Sequence, residues 1–221
     1  VDYQLTLNNN GNTLHGGGPI AFHNRIWNTE QTDNQHLTFT TTSPDGADGF
    51  PGNIEVKVTY TLTDDNALEI AYEATTDKAT ILNLTNHCYF NLSGDGSKDC
   101  LDEILQLDAD SMTNVDENVL VTGEIVPVEG TPFDFRTPTA IGERINDTTN
   151  VQIKNGNGYD HNWILNTGGD INKAFGTIYD PNSGVEMTMY TDQPGVQFYA
   201  GNFLDGSFVG KKGVKHPQRS A

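Results

Sequence analysis

The sequence predicts an all-β fold, a large antiparallel β-sandwich with little helix, and three observations carry that reading. Apolar residues recur with period two, the period of a strand with one face turned to a core. Nowhere do they hold the i, i+3, i+4, i+7 spacing of an amphipathic helix for three turns. The 23 glycines, with Pro, Asn and Asp between the apolar stretches, supply the turns that many short strands need. A chain of 221 residues can bury a sizeable core. One domain over residues 1–221 is the expectation, because no Gly/Ser-rich or charged linker divides the chain and no tandem repeat is present.

Taken in order, Tyr3–Leu7 and His36–Thr42 are the first candidate strands. Ile54, Val56, Val58, Tyr60 and Leu62 alternate with Glu55, Lys57, Thr59, Thr61 and Thr63, so one face should be dry and the other wet. Asp64-Asp65-Asn66 then offers turn chemistry, and Leu68, Ile70, Tyr72 and Ala74 alternate back, which reads as an antiparallel hairpin. Ile81–Thr85 and Glu103–Leu107 are short strands, and a one-turn helix is expected near Ala140–Ile145. Trp163–Leu165 follows. Val185, Met187 and Met189 alternate after the turn Asp180-Pro181-Asn182-Ser183-Gly184, and Val196–Tyr199 completes the set.

Composition excludes several function classes. The net charge of −18, from 30 acidic against 12 basic residues, repels phosphate backbones and anionic lipids. It therefore argues against nucleic-acid and membrane partners and suits a neutral ligand better than a phosphorylated one. The same charge also serves as a solubility device, as in a secreted protein. No apolar run approaches the roughly 18 residues that would span a bilayer. The chain has no initiator Met and no charged-then-apolar leader, so it reads as a mature or internal piece of a longer product. Cys88 and Cys100 either form one bridge or stay as two buried thiols, and no CxxC or His/Cys cluster suggests a metal. Asn146-Asp147-Thr148 is a plausible exposed glycosylation site; Asn83-Leu84-Thr85 and Asn91-Leu92-Ser93 match the same pattern. These matches favour an extracellular location slightly over a cytoplasmic one.

The segment richest in chemistry is Asn83–Leu92. It reads as a strand with His87 in its middle, among Thr85, Asn86 and Asn91. Strands rarely devote so many hydrogen-bonding side chains to packing, and histidine exchanges a proton at small cost near neutral pH. The plain alternative is a packed core histidine. Asn12–Gly18 sets His15 before three glycines, which allow a close approach or a positive φ; a loop with a surface histidine would look the same. Gly158–Trp163 puts Asp160 among aromatics and amides, neighbours that suit sugar hydroxyls as well as a structural turn. Gly195–Asn202 reads as a buried strand whose Gln197 needs a partner, and Asp134 with Arg136 as a structural pair.

Together these segments resemble the aldose 1-epimerase (galactose mutarotase) family. The decapeptide around His87 closely resembles its signature. Asn8 to Gly17 is similar to the family's Asn-rich approach to Leu-His-Gly-Gly, and Phe22 and Trp27 match the aromatic positions that follow. Asp45–Asn53 is similar to its acidic, Gly-rich turn, and the Gly158–Trp163 and Gly195–Asn202 segments complete the series to about Gly210. The resemblance implies a mutarotase-like supersandwich that interconverts the α and β anomers of a free hexose, without metal or other cofactor. It makes His87 the acid at the ring oxygen and His15 a second histidine at ring or hydroxyl oxygens. Asp160 and Gln197 would hold hydroxyls, Trp27 would line the sugar, and Asn86 could set the His87 tautomer. The family's base is a glutamate downstream of the stretch matching Gly201–Gly206, and Ser207–Ala221 contains none. Its substrate-binding arginine lies upstream of the position where this chain begins. Flanking segments or a companion chain are therefore expected to complete the fold. The alternatives are an inactive sugar-binding protein of the same fold and a glycoside hydrolase. The latter needs two carboxylates flanking the bond, and no pair stands out.

Overall fold

The computed structural model describes residues 1–94 and 98–221, which form two compact units, Val1–His87 and Cys88–Ala221. Among the described residues twelve strands build three four-stranded sheets, every pair antiparallel, as the period-two patterning predicts.

The first unit holds one sheet in the order β1 (Asn28–Gln31), β2 (His36–Ser43), β3 (Ile54–Leu62) and β4 (Leu68–Thr76). The expected hairpin is β3–β4, with Ile54 opposite Thr76 and Leu62 opposite Leu68. Its turn closes by Thr63 N–H to Ala67 C=O at 2.9 Å, with Asn66 in the left-handed region at φ 65°. The dry face is narrower than the alternation suggests. Ile54, Val56 and Val58 are buried, with Phe22, Trp27, Tyr60, Ile70 and Leu84 packed against them. On β4, Leu68 and Tyr72 stay exposed.

Two expected strands are absent. Tyr3–Leu7 and Ile81–Thr85 enter no ladder. Alternation fixes which face a side chain takes, whereas a strand also needs a neighbour for its N–H and C=O groups. Thr6 N–H does reach Asp48 C=O at 3.0 Å, an isolated bond with no ladder around it. His87 accordingly sits outside any sheet, not mid-strand as expected.

The second unit packs two sheets around one core. One runs β11 (Glu186–Tyr190), β10 (Ala174–Tyr179), β5 (Ile104–Leu107) and β8 (Thr139–Ala140). The other runs β12 (Gly195–Tyr199), β9 (Asp160–Ile164), β6 (Ser111–Val115) and β7 (Val121–Pro127). Between them Trp163 and Tyr159 are fully buried against Phe133, Phe135 and Phe198, with ring centroids 5.1–6.4 Å apart. Both polar tips are satisfied: Trp163 Nε1 donates to Phe133 C=O at 3.0 Å and the Tyr159 hydroxyl to Pro132 C=O at 2.9 Å. The turn at Asp180–Gly184 joins β10 to β11, closed by Gly184 N–H to Asp180 C=O at 2.8 Å. The strand expected at Trp163–Leu165 is β9, which begins three residues earlier, at Asp160. The expected helical turn appears as a 3₁₀ turn at Ile141–Glu143.

A further helix, α1 (Val151–Gly156), was not legible, since six residues are too few to show a periodic stripe. Asn150 caps it by accepting from the backbone N–H groups of Gln152 and Ile153, at 2.9 and 3.3 Å. No bridge joins the cysteines: both are thiols, but Cys100 is buried and Cys88 is exposed, so the pair of buried thiols is corrected as well. Burial pushes the Cys100 thiol up to about 12, which leaves it unreactive. Asp134 and Arg136 form the expected pair, a two-pronged contact at 2.9 and 2.8 Å that holds the carboxyl at about 2. Among the described residues no helix is long and apolar enough to cross a membrane, and no group of three or more His, Cys, Asp and Glu could hold a metal ion.

Candidate functional site

In the first unit His15 and His87 meet edge to face, their ring centroids 5.1 Å apart. They lie 72 positions apart in the chain and neither is on a strand, so other contacts must hold them. His15 has φ 51°, and Gly16 and Gly17 follow at 84° and 102°, so the chain makes a left-handed run through the site. A non-glycine residue in that region is uncommon and marks a constrained position. Asn8 supplies the constraint. Its side-chain amide donates to Leu14 C=O at 3.0 Å and Gly17 C=O at 2.7 Å, and its Oδ1 accepts from Leu14 N–H at 2.7 Å. The glycines serve close packing: a Cβ on Gly17 would stand 3.1 Å from the Asp48 Cβ, within the acidic turn before β3.

His87 is placed by its neighbour. Asn86 donates from Nδ2 to the Tyr60 hydroxyl on β3 at 2.8 Å, which ties this segment to the sheet. Trp27 donates its indole N–H to Phe22 C=O at 3.0 Å, and its ring packs beside Phe22 within the apolar cluster under β3.

In the second unit the site residues stand on paired strands. Asp160 on β9 lies opposite Tyr199 on β12, and Asn162 opposite Gln197. Side chains alternate across a strand, so Asp160 and Asn162 share one face with Gln197 and Tyr199, while His161, Trp163, Val196 and Phe198 take the other. Gln197 donates from Nε2 to Asp160 Oδ1 at 2.9 Å. Its expected partner is therefore present, but Gln197 is exposed rather than buried. Tyr199 packs against Tyr89 at 5.5 Å and stacks near Phe203 at 6.4 Å, and its hydroxyl accepts from Phe203 N–H. Burial, with the Asp160 carboxylate nearby, raises the pKa of both tyrosines, which keeps their hydroxyls protonated. The face thus combines a carboxylate, an amide and aromatic rings, the set that recognises sugar hydroxyls and C–H surfaces.

Six sequence-picked residues thus fall into His15, His87, Asn86 and Trp27 in one unit, and Asp160 with Gln197 in the other. Tyr60, Tyr89, Tyr199 and His161 were passed over, and only their positions beside chosen residues could have drawn attention to them.

Antiparallel four-stranded sheets, one of them carrying polar and aromatic groups on a strand face, place the chain in the class of all-β sandwich proteins. Consistent with that, an aldose epimerase homologue of known structure from C. elegans superposes with a TM-score of 0.87 at 31% identity, covering 99% of this chain and 64% of that one. The sequence model of the aldose 1-epimerase family matches residues 1–220, and the chain belongs to that family. A galactose mutarotase from Sus scrofa is 42% identical over 220 residues, 99% of this chain and 61% of its own length. An aldose 1-epimerase from Escherichia coli is 40% identical over 197 residues, 89% of this chain and 56% of its own. The chain thus spans less than two thirds of the curated relatives it matches.

Proposed function

We propose that the protein is an aldose 1-epimerase that interconverts the α and β anomers of free galactose or glucose, with residues 1–221 working as part of one mutarotase-like domain. The observation that carries this reading is the edge-to-face pair of His15 and His87, two proton-exchanging rings 5.1 Å apart on segments tied down by Asn8 and Asn86. Family membership and the identity to proteins named galactose mutarotase support it.

In the proposed reaction His87 gives a proton to the ring oxygen while a base takes the proton of the C1 hydroxyl. The C1–ring-oxygen bond breaks, its electron pair leaves with that oxygen, and C1 becomes a carbonyl. Rotation about C1–C2 presents the other face, and the reverse transfers close the ring and restore both protons. Each positioned proton transfer contributes about 10²–10⁴-fold. His15 holds ring or neighbouring hydroxyl oxygens. Asp160 accepts from two hydroxyls and Gln197 keeps its carboxylate aimed. The base is expected to be the glutamate that the family places downstream of the stretch matching Gly201–Gly206. A neutral sugar also suits the charge of −18.

The test is anomer exchange on freshly dissolved α-galactose, followed by NMR with the intact protein. Exchange far above the spontaneous rate is the expected result. Exchange at the spontaneous rate, alongside measurable galactose binding, would leave a sugar-binding protein instead.

A further inference from the structure

We infer that His161 is a positioning residue for the sugar-binding carboxylate of Asp160, its Nδ1 serving as the backbone acceptor that the sheet does not provide there. The inference rests on the reading of Asp160 as a hydroxyl-binding group.

The starting point is the ladder between β9 and β12. Ala200 N–H bonds Tyr159 C=O and Leu165 N–H bonds Pro194 C=O, at 3.2 and 2.9 Å. Antiparallel pairs alternate between bonded and non-bonded, so the Asp160–Tyr199 pair between them is of the non-bonded kind. The Asp160 N–H therefore points away from β12. On its other side β6 pairs with β9 only at Met112–Trp163 and Ser111–Ile164, and continuing that register would bring Val115 opposite Asp160. But β6 carries an irregularity in its pairing with β7 between Thr113 and Val115, and the Val115 backbone is taken by α1. Val115 N–H donates to Gln152 Oε1 at 2.8 Å, and Val115 C=O accepts from Gln152 Nε2 and Asn155 Nδ2, both at 3.0 Å. The Val115 carbonyl is thus engaged by α1 rather than by Asp160.

His161 fills the gap: Asp160 N–H donates to its Nδ1 at 3.1 Å. The ring is fully buried, edge-on to Phe133 at 4.6 Å between centroids, and a Cβ on Gly156 would come within 2.9 Å of its Cε1. Burial holds the imidazole neutral, with its pKa down at about 4, so Nδ1 remains an acceptor. The proton then resides on Nε2, which finds no hydrogen-bond partner among the described residues. A phenyl ring would pack in this place without an unsatisfied buried N–H. What the histidine adds over phenylalanine is the Nδ1 acceptor. It fixes the Asp160 backbone, and through it the direction of the carboxylate toward Gln197 and the sugar.

Two variants of the intact protein separate this role from packing. His161→Phe keeps a ring and deletes the acceptor; His161→Asn deletes the ring and keeps an oxygen where Nδ1 stood. Galactose affinity is read by titration, which needs no turnover, and a through-hydrogen-bond N–N coupling between the Asp160 amide and His161 Nδ1 is sought in ¹⁵N-labelled wild type. The expected results are a detectable coupling, about tenfold weaker galactose binding in His161→Phe, and binding within about threefold of wild type in His161→Asn. Absence of the coupling overturns the inference, as does equal affinity in His161→Phe and wild type. Should His161→Phe fail to fold, the Asn variant decides: tenfold weaker binding there overturns the inference. Loss of anomer exchange with these results intact would refute the epimerase reading alone.

Discussion

The two units hold their chemistry in different ways. In the first, His15 and His87 sit outside any ladder and are held by side chains: Asn8 clamps one loop and Asn86 ties the other segment to Tyr60. The buried core cluster of that unit is three aliphatic residues, Ile54, Val56 and Val58. In the second, Asp160 and Gln197 stand on adjacent strands over a core that includes five large aromatic residues, Phe133, Phe135, Tyr159, Trp163 and Phe175. Groups that orient a ligand gain from a rigid base, since misplacement weakens every contact they make. Groups that exchange protons need reach and access, and loops provide both. Under the proposed function, recognition would fall to paired strands over an aromatic core and proton transfer to segments outside any ladder.

The contrast can be broken most directly through the cores. Trp163→Ala should lower unfolding free energy by about 3–5 kcal/mol, because it empties the ring site of a fully buried residue and removes one of the two hydrogen bonds to the Phe133 carbonyl. Denaturant unfolding read by far-UV CD checks it, and a loss below 1 kcal/mol would mean the second unit is no stiffer than the first. A pH series comes next. The His161 imidazole titrates at about 4 when folded against about 6.5 when unfolded, so between those values the unfolded chain binds the extra proton. Stability conferred by the neutral ring is complete above about pH 6.5 and should decline as pH falls toward 4, by on the order of 3 kcal/mol. Glu103, whose carboxyl is pushed up by burial, acts in the opposite sense over part of that range. The difference in slope between wild type and His161→Asn isolates the histidine, and parallel curves would refute its assignment.

His87→Ala should lower the anomer-exchange rate at least about a hundredfold, while the CD spectrum stays strand-like because the residue is outside the sheets. An unchanged rate would reduce His87 to a packing residue. The smallest effect is expected for Val56→Ala, about 1–3 kcal/mol, since it removes little volume from a thin cluster. If it equalled Trp163→Ala, the two cores would not differ as described.

How much of this was legible follows from what leaves a local trace. The β3–β4 hairpin and the Asp180–Gly184 turn were readable, because period-two alternation and turn residues act within a few positions. The segments Tyr3–Leu7 and Ile81–Thr85 carry the same pattern without a ladder, since pairing depends on a neighbour the segment does not encode. β6 and β10 were missed because Thr, Asn and Gly dilute their alternation, and α1 because it is too short. His15, His87, Asp160 and Gln197 could be named in advance by resemblance. That Asn8 clamps the first and His161 braces the third could not, because both depend on which backbone groups the fold leaves unpaired.

The alternation along β9 has a consequence for editing the chain. Odd and even positions there have opposite destinations, with Asp160 facing outward and His161 and Trp163 facing the core. Inserting a single residue after Gly158 that is taken up as a one-residue slip of β9 against β12 would exchange the two sets, burying a carboxylate and an amide and presenting an indole to water. Inserting two would preserve the parity. Length changes at this joint should therefore be tolerated in even steps, a rule that neither residue type nor hydrophobicity alone would reveal.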